Sequence, residues 1–249
     1  MTEYQNQSSG PGPTVVPARC LRYGDSPLPA RWPGAHGEVQ VWSIGLPGDG
    51  RETSEGLDVL DEDERARGRG FVRERDRARY NGAHIALRRL LGVYLALAPH
   101  EVVLTREACV TCGGPHGRPR VAPGRGAGVA PHFSLSHAGD LALAAFAARP
   151  VGVDIEDVPS SATVSDIAPM LHPREQAELN SLPRHERPSA FARCWARKEA
   201  CLKATGQGLA QGVAQPYVGC AGRPAAPADR ALYDLGVREG SAAALALCR

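Results

Sequence analysis

The sequence is poor in aromatic residues and in net charge, and it contains no long apolar run. Phe, Trp and Tyr together make up 5% of its 249 residues. Beside the abundance of Ala, Arg, Gly and Pro, that scarcity is a compositional bias without functional weight. A formal net charge of +2 gives nucleic-acid binding no support. The longest apolar stretch, around Leu141 to Ala148, falls far short of the ~20 residues that cross a bilayer. The polar stretch from Met1 to Gly12 lacks the apolar core of a signal peptide. The seven cysteines show none of the spacing of a small secreted domain. The expectation is therefore a cytoplasmic protein with reduced thiols. Two catalytic signatures are also missing. No G-x-x-x-x-G-K-[ST] phosphate loop occurs, which disfavours a nucleotide hydrolase of that type, and no G-x-S-x-G elbow precedes a helix.

What is present reads as a mixed α and β chain. Residues 1–36, rich in Gly, Pro, Ser and Gln, are expected to form a flexible lead-in. A first strand is expected over Glu38 to Leu46. Helical periodicity runs from Asp61 to Leu97, broken near Gly68-Arg69-Gly70, with Tyr80, His84, Leu87, Leu91 and Tyr94 on one stripe. Glu101 to Thr105 reads as a short strand and Glu107 to Pro131 as loop. Strands follow at His132 to Ser136, Leu141 to Ala147 and Val151 to Glu156. Helices follow at Pro173 to Leu182 and at Pro188 to Thr205, the latter ended by Gly206. Ala231 to Leu235 and Ala242 to Cys248 read as a closing pair of strands.

Two short segments carry the chemistry. In the strand Pro150-Val151-Gly152-Val153-Asp154-Ile155-Glu156, alternation puts Asp154 and Glu156 on one face and Val153 and Ile155 on the other. In the helix from Trp195 to Lys203, Glu199 and Lys203 stand four apart and share a face. Taken singly, these are two carboxylates on an edge strand and an ordinary helix-surface ion pair. Together, three carboxylates and a lysine make a Mg²⁺ site suited to phosphate-ester chemistry.

The two segments match G-[IV]-D-[IV]-E and W-x-x-K-E-x-x-x-K. With Gly117-Arg118-Pro119 and Phe133-Ser134-Leu135-Ser136-His137-Ala138-Gly139 upstream, the chain resembles the Sfp-type 4′-phosphopantetheinyl transferases. That family moves phosphopantetheine from coenzyme A onto a serine of a carrier protein. The resemblance covers residues 60–210 well. It implies an α+β fold of two similar halves with the active site at their junction: 37–148 for nucleotide contacts, and 149–249 for metal and catalytic residues. It implies Asp154, Glu156 and Glu199 as ligands of Mg²⁺, with Mn²⁺ the alternative, and Glu199 and Lys203 as catalytic residues. Coenzyme A would be held by Arg67, Arg79, Gly117, Arg118, Pro119, Ser136, His137, Lys198 and Lys203. Arg67 would take the 3′-phosphate, and Glu64 stands where some relatives are basic. The partners implied are apo acyl or peptidyl carrier proteins of polyketide or nonribosomal peptide synthesis, with no nucleic acid, no membrane and a monomeric enzyme. The competing reading is a coenzyme A or carrier-protein binding module that has lost catalysis.

Three further features have plainer readings. Ser136 and His137 are adjacent on a strand and so face opposite ways, which disfavours a nucleophile–base pair. Cys109, Cys112 and His116 offer three zinc ligands without a fourth, so reduced loop cysteines are preferred. Seven arginines from Arg65 to Arg79 are interleaved with Asp and Glu, as on a solvated helix face.

Overall fold

The computed structural model describes residues 18–29, 32, 39–46, 56–110, 112–115, 117–124, 126, 128–208 and 212–249. The chain first forms strands β1 (Ala18–Arg22) and β2 (Val39–Gly45). Helices α1 (Glu62–Arg69) and α2 (Glu74–Leu95) follow. Then come the short strands β3 (Leu104–Arg106) and β4 (Pro119–Val121), and the hairpin β5 (His132–Ala138) and β6 (Leu141–Ala147). Strand β7 (Val151–Asp157) opens the second part, with helices α3 (Ser161–Ile167), α4 (Pro173–Ser181) and α5 (Arg187–Thr205). Strands β8 (Arg230–Leu235) and β9 (Ser241–Cys248) close it.

One sheet has the order β1-β2-β6-β5 and another β7-β9-β8. In each, a first strand leads through helices to an antiparallel hairpin whose last strand pairs with that first strand. β2, α2, β5 and β6 thus repeat as β7, α5, β8 and β9. This is the two-halved α+β arrangement that the resemblance implied.

Alternation along the strands builds three cores. Trp42, Ile44, Ala142, Ala144 and Phe146 pack against α2 through Leu87, Leu90, Leu91 and Tyr94. Ala244 and Ala246 pack against α5 through Ala196, Ala200 and Ala204. The opposite faces of the two sheets meet through Val39, Val41, Leu143, Ala145, Val151, Val153, Ile155, Ala243 and Leu245. Fully burying one Val, Leu or Ile side chain contributes about 1.5–3 kcal/mol, so this third layer binds the halves firmly.

Small residues set how closely α5 approaches β7. A Cβ on Gly152 would lie 2.0 Å from the carbonyl oxygen of Ala200 and 2.5 Å from the amide nitrogen of Ala204. The motif glycine therefore serves the approach of helix to strand. Gly152→Ala is expected to cost about 2–3 kcal/mol by forcing α5 outward; an unchanged urea midpoint would show that the helix yields freely. Gly206 ends α5 at φ 75°, and its N–H returns to the carbonyls of Leu202 and Lys203.

Some expectations need correcting. Residues 1–36 are not all lead-in: β1 pairs in parallel with β2, and Trp32 is buried against Tyr94. Residues 1–17, 30, 31 and 33–36 lie outside the described residues. The short strand expected at Glu101 to Thr105 is displaced, because Pro99–Glu101 forms a 3₁₀ turn and β3 begins at Leu104. The expected loop from Glu107 contains β4, which pairs with β3.

Candidate active site

Strand parity and helix phase bring the acidic residues together where β5 runs beside β7. Asp154 is 2% exposed. Its Oδ1 accepts from the Lys203 ammonium at 2.6 Å and from the Ser136 hydroxyl at 2.7 Å. Lys203 also reaches the Val153 carbonyl at 3.3 Å. Nearby, the Val153 amide donates to Ser134 Oγ at 3.0 Å, a further tie between the halves. Asp154 Oδ2 is buried and has no hydrogen-bond partner among the described residues.

The electrostatics record a shortage of positive charge. Burial pushes the Asp154 carboxyl above its ordinary range, against the pull of Lys203 and Ser136. Burial, then repulsion from Asp154, raises Glu199. Glu156 is raised to about 7, by burial first and then by Asp154, with Glu199 and Asp157 adding to the effect. Three mutually repelling carboxyls with one orphaned buried oxygen fit a hard divalent cation. Among the described residues, no three carboxylate, imidazole or thiolate groups already close on a common point. Asp154 Oδ1 holds the Lys203 ammonium.

These shifts fix the sign of a pH dependence. The Glu156 carboxyl in the fold is raised to about 7 from its ordinary 4.5, so the folded chain binds more protons between those values. Its contribution to stability is present below the ordinary value and is lost as pH rises toward 7. Across that window, metal-free protein is expected to lose about 2–4 °C more in melting temperature than its Glu156→Gln variant. Parallel curves for the two proteins would remove Glu156 as the cause.

Ser136 and His137 point apart, as strand parity predicts. Ser136 faces Asp154, while His137 lies on the α2 side with Phe133 and Leu135. Burial lowers the His137 imidazole, and the charges of His84, Lys203 and Arg79 lower it further. Arg79 is thus within electrostatic reach of His137. Arg67 acts on the Tyr80 hydroxyl, further along α2.

Other expected site residues are committed elsewhere. Lys198 is 1% exposed; its ammonium donates to Glu175 at 2.7 Å and to the Pro216 carbonyl at 2.7 Å. Helix phase turns it into the core of the second half, so the expected phosphate contact is corrected to a buried ion pair. Arg118 is corrected likewise: it donates to the Ala204 carbonyl at 2.6 Å and to both oxygens of Glu107 at 3.0 and 2.9 Å. That makes it a brace between the halves. Gly117 is buried, and a Cβ there would lie 2.5 Å from the Glu107 carbonyl oxygen, so it serves a tight turn; Pro119 starts β4. Trp195 stacks on Phe191 in the α5 core. Of the possible zinc ligands, Cys109 is buried in a turn and Cys112 exposed, while His116 lies outside the described residues.

Sequence reasoning missed the inward turn of Glu64. Its carboxylate is buried, accepting from Arg88, from the Asp61 amide at 3.1 Å and from His84 Nδ1 at 3.0 Å. It does not repel an anion from the surface as its position suggested. Tyr80 and His84 are legible only as members of a helical stripe, and Arg88, which draws Glu64 inward, lies 24 residues away.

Residues 150–222 match the 4′-phosphopantetheinyl transferase superfamily. The chain is 34% identical over 176 residues to the 4′-phosphopantetheinyl transferase HetI of Nostoc sp. (strain PCC 7120), covering 70% of this chain and 71% of that relative. Shorter matches are to psf-1 of Bacillus pumilus (35% over 83 residues, 33% of this chain and 35% of the relative) and Sfp of Bacillus subtilis strain 168 (32% over 79 residues, 31% and 34%). Both are 4′-phosphopantetheinyl transferases. No helix among the described residues is long and apolar enough to cross a membrane.

Proposed function

The chain belongs to the 4′-phosphopantetheinyl transferase superfamily, and from that premise we propose a divalent-cation-dependent reaction at the Asp154–Glu156–Glu199 cluster. The activity itself is that of the family: transfer of phosphopantetheine from coenzyme A to a carrier protein. The observation that supports the metal is the buried, unpartnered Asp154 Oδ2 among carboxyls already pushed up by one another. Asp154, Glu156 and Glu199 would hold Mg²⁺, or Mn²⁺ in its place. When bound, the ion supplies Lewis-acid charge for the pyrophosphate oxygens.

In this reading Ser136 keeps the Asp154 carboxylate oriented. Glu199, whose carboxyl is raised by burial, accepts the proton of the carrier serine. The serine oxygen then forms its bond to the β-phosphorus of coenzyme A, and the bond from that phosphorus to 3′,5′-ADP breaks. Lys203 turns its ammonium to the phosphate and stabilises charge on the leaving group. Arg67, Arg79 and His137 line the nucleotide track, with Arg67 toward the 3′-phosphate. The first half carries nucleotide contacts and the second half, from 149 onward, the acidic cluster. Carrier proteins of polyketide or nonribosomal peptide synthesis are the proposed acceptors, served by a cytoplasmic monomer.

The test is the intact mass of an apo peptidyl carrier protein incubated with this protein, coenzyme A and Mg²⁺. A gain of roughly 340 Da, lost with EDTA and with Glu199→Gln, is the expected result. Coenzyme A binding without any mass gain across several acyl and peptidyl carriers would favour a binding module.

A further inference from the structure

His84 is not among the residues assigned above to coenzyme A, yet it stands in the middle of the track they define. Its ring packs against Tyr80, with centroids 4.2 Å apart and planes at 32°. Its Nδ1 donates to Glu64, whose carboxylate is buried and fixed in turn by Arg88 and by the capping box at Asp61. Nδ1 is therefore spoken for, and Nε2 makes no hydrogen bond to another described residue. The side chain is 23% exposed.

Around it cations outnumber acids: Arg67, Arg106, Arg79 and Lys203 against Glu64, Asp61 and Asp76. On one side the Tyr80 hydroxyl, next to His84 in the stack, feels Arg67 and Arg106. On the other, the charge of His84 acts on His137, as do Lys203 and Arg79. Arg67 and Arg106 are exposed and make no ion pair with another described residue. The anion that holds His84, Glu64, lies beneath this surface and is turned away into the core. A row of cations, with Glu64 buried behind one member, Asp61 paired with Arg88 and Asp76 beside Arg79, is suited to an extended polyanion. A carboxylate accepting from Nδ1–H and a phosphate oxygen accepting from Nε2–H are together the two acceptors that an imidazolium, with its two N–H donors, can serve.

Resting on the proposed coenzyme A reading, we infer that His84 is a phosphate-binding residue of the nucleotide track, held in place by Glu64 as its positioning residue. The bond would run from Nε2–H to a phosphate oxygen, bridging the Arg67–Arg106 end and the His137–Lys203 end. A purely structural histidine would need only its stack on Tyr80 and its bond to Glu64.

The experiment is titration calorimetry of the full chain with coenzyme A and with dephospho-coenzyme A, in EDTA, with circular dichroism as the check on folding. His84→Phe keeps the stack and removes the donor; it is expected to weaken coenzyme A about tenfold or more. His84→Lys restores a cation and is expected to stay within about threefold of wild type. Glu64→Gln is expected to raise KM for coenzyme A with kcat unchanged, a split that loss of fold would not give. If His84→Phe discriminates less between the two ligands, the 3′-phosphate is the group bound; an equal loss on both identifies the pyrophosphate. A folded His84→Phe variant that binds coenzyme A within twofold of wild type would overturn the inference. Wild-type protein that fails to bind coenzyme A even with Mg²⁺ in place of EDTA would instead overturn the functional reading beneath it.

Discussion

Asp154→Asn is expected to lower the rate of carrier modification on the order of 10³-fold, about 4 kcal/mol of transition-state stabilisation, without lowering the melting temperature. The two halves of this outcome have separate causes. Asparagine fills the same space at a position 2% exposed and can still accept from Ser136, so packing is kept. Burial already disfavours the charged carboxylate there, and Glu156 and Glu199 are both raised in part by its charge. Removing that charge relieves both. Lys203 loses its anion, but its side chain is 30% exposed and water can solvate it. Catalysis loses what stability does not need: a buried oxygen, Oδ2, that none of the described residues satisfies. A site assembled at the expense of stability gives this signature. Turnover by intact mass and melting by fluorimetry read the two effects, and turnover near wild type would end the assignment of Asp154.

Lys198→Ala is expected to do the reverse. Lys198 and Glu175 form an ion pair that is 1% and 0% exposed on its side chains. The Glu175 carboxylate also accepts from the amides of Val218 at 2.8 Å and His172 at 3.1 Å. Truncating the lysine leaves that carboxylate buried without its cation, which costs about 3–5 kcal/mol, roughly 10 °C of melting temperature for a chain of this size. The KM for coenzyme A should not move. The chain's two lysines, Lys198 and Lys203, both lie on α5. This experiment separates them: a raised KM with unchanged melting would return Lys198 to the phosphate.

The contrast between those lysines shows what the sequence could and could not tell. Local periodicity reaches as far as the side chain's direction. It put Asp154 and Glu156 on one face, Val153 and Ile155 on the other, and Ser136 opposite His137, and the sheets are built that way. It found α2 and α5 because their apolar stripes repeat over many turns. It failed where the partner lies far along the chain. The carboxylate that receives Lys198 belongs to α4, and Arg118 is engaged by a carbonyl 86 residues away. Glu64 could be read only as a surface acid, because Arg88, which draws it inward, is 24 residues distant. β1 was hidden for another reason. An edge strand is half exposed and needs no full alternation, so its polar, Gly- and Pro-rich surroundings read as lead-in.

Arg118 ties the last turn of α5 to Glu107, at the mouth of the segment between β3 and β4. Glu199 and Lys203 ride on that helix, so their distance from β7 depends in part on a guanidinium–carbonyl contact at its last turn. Such a brace works as a set-screw: exchanging the segment from Glu107 to Arg118 between homologous enzymes should alter how fast they turn over before it alters which acceptor they prefer.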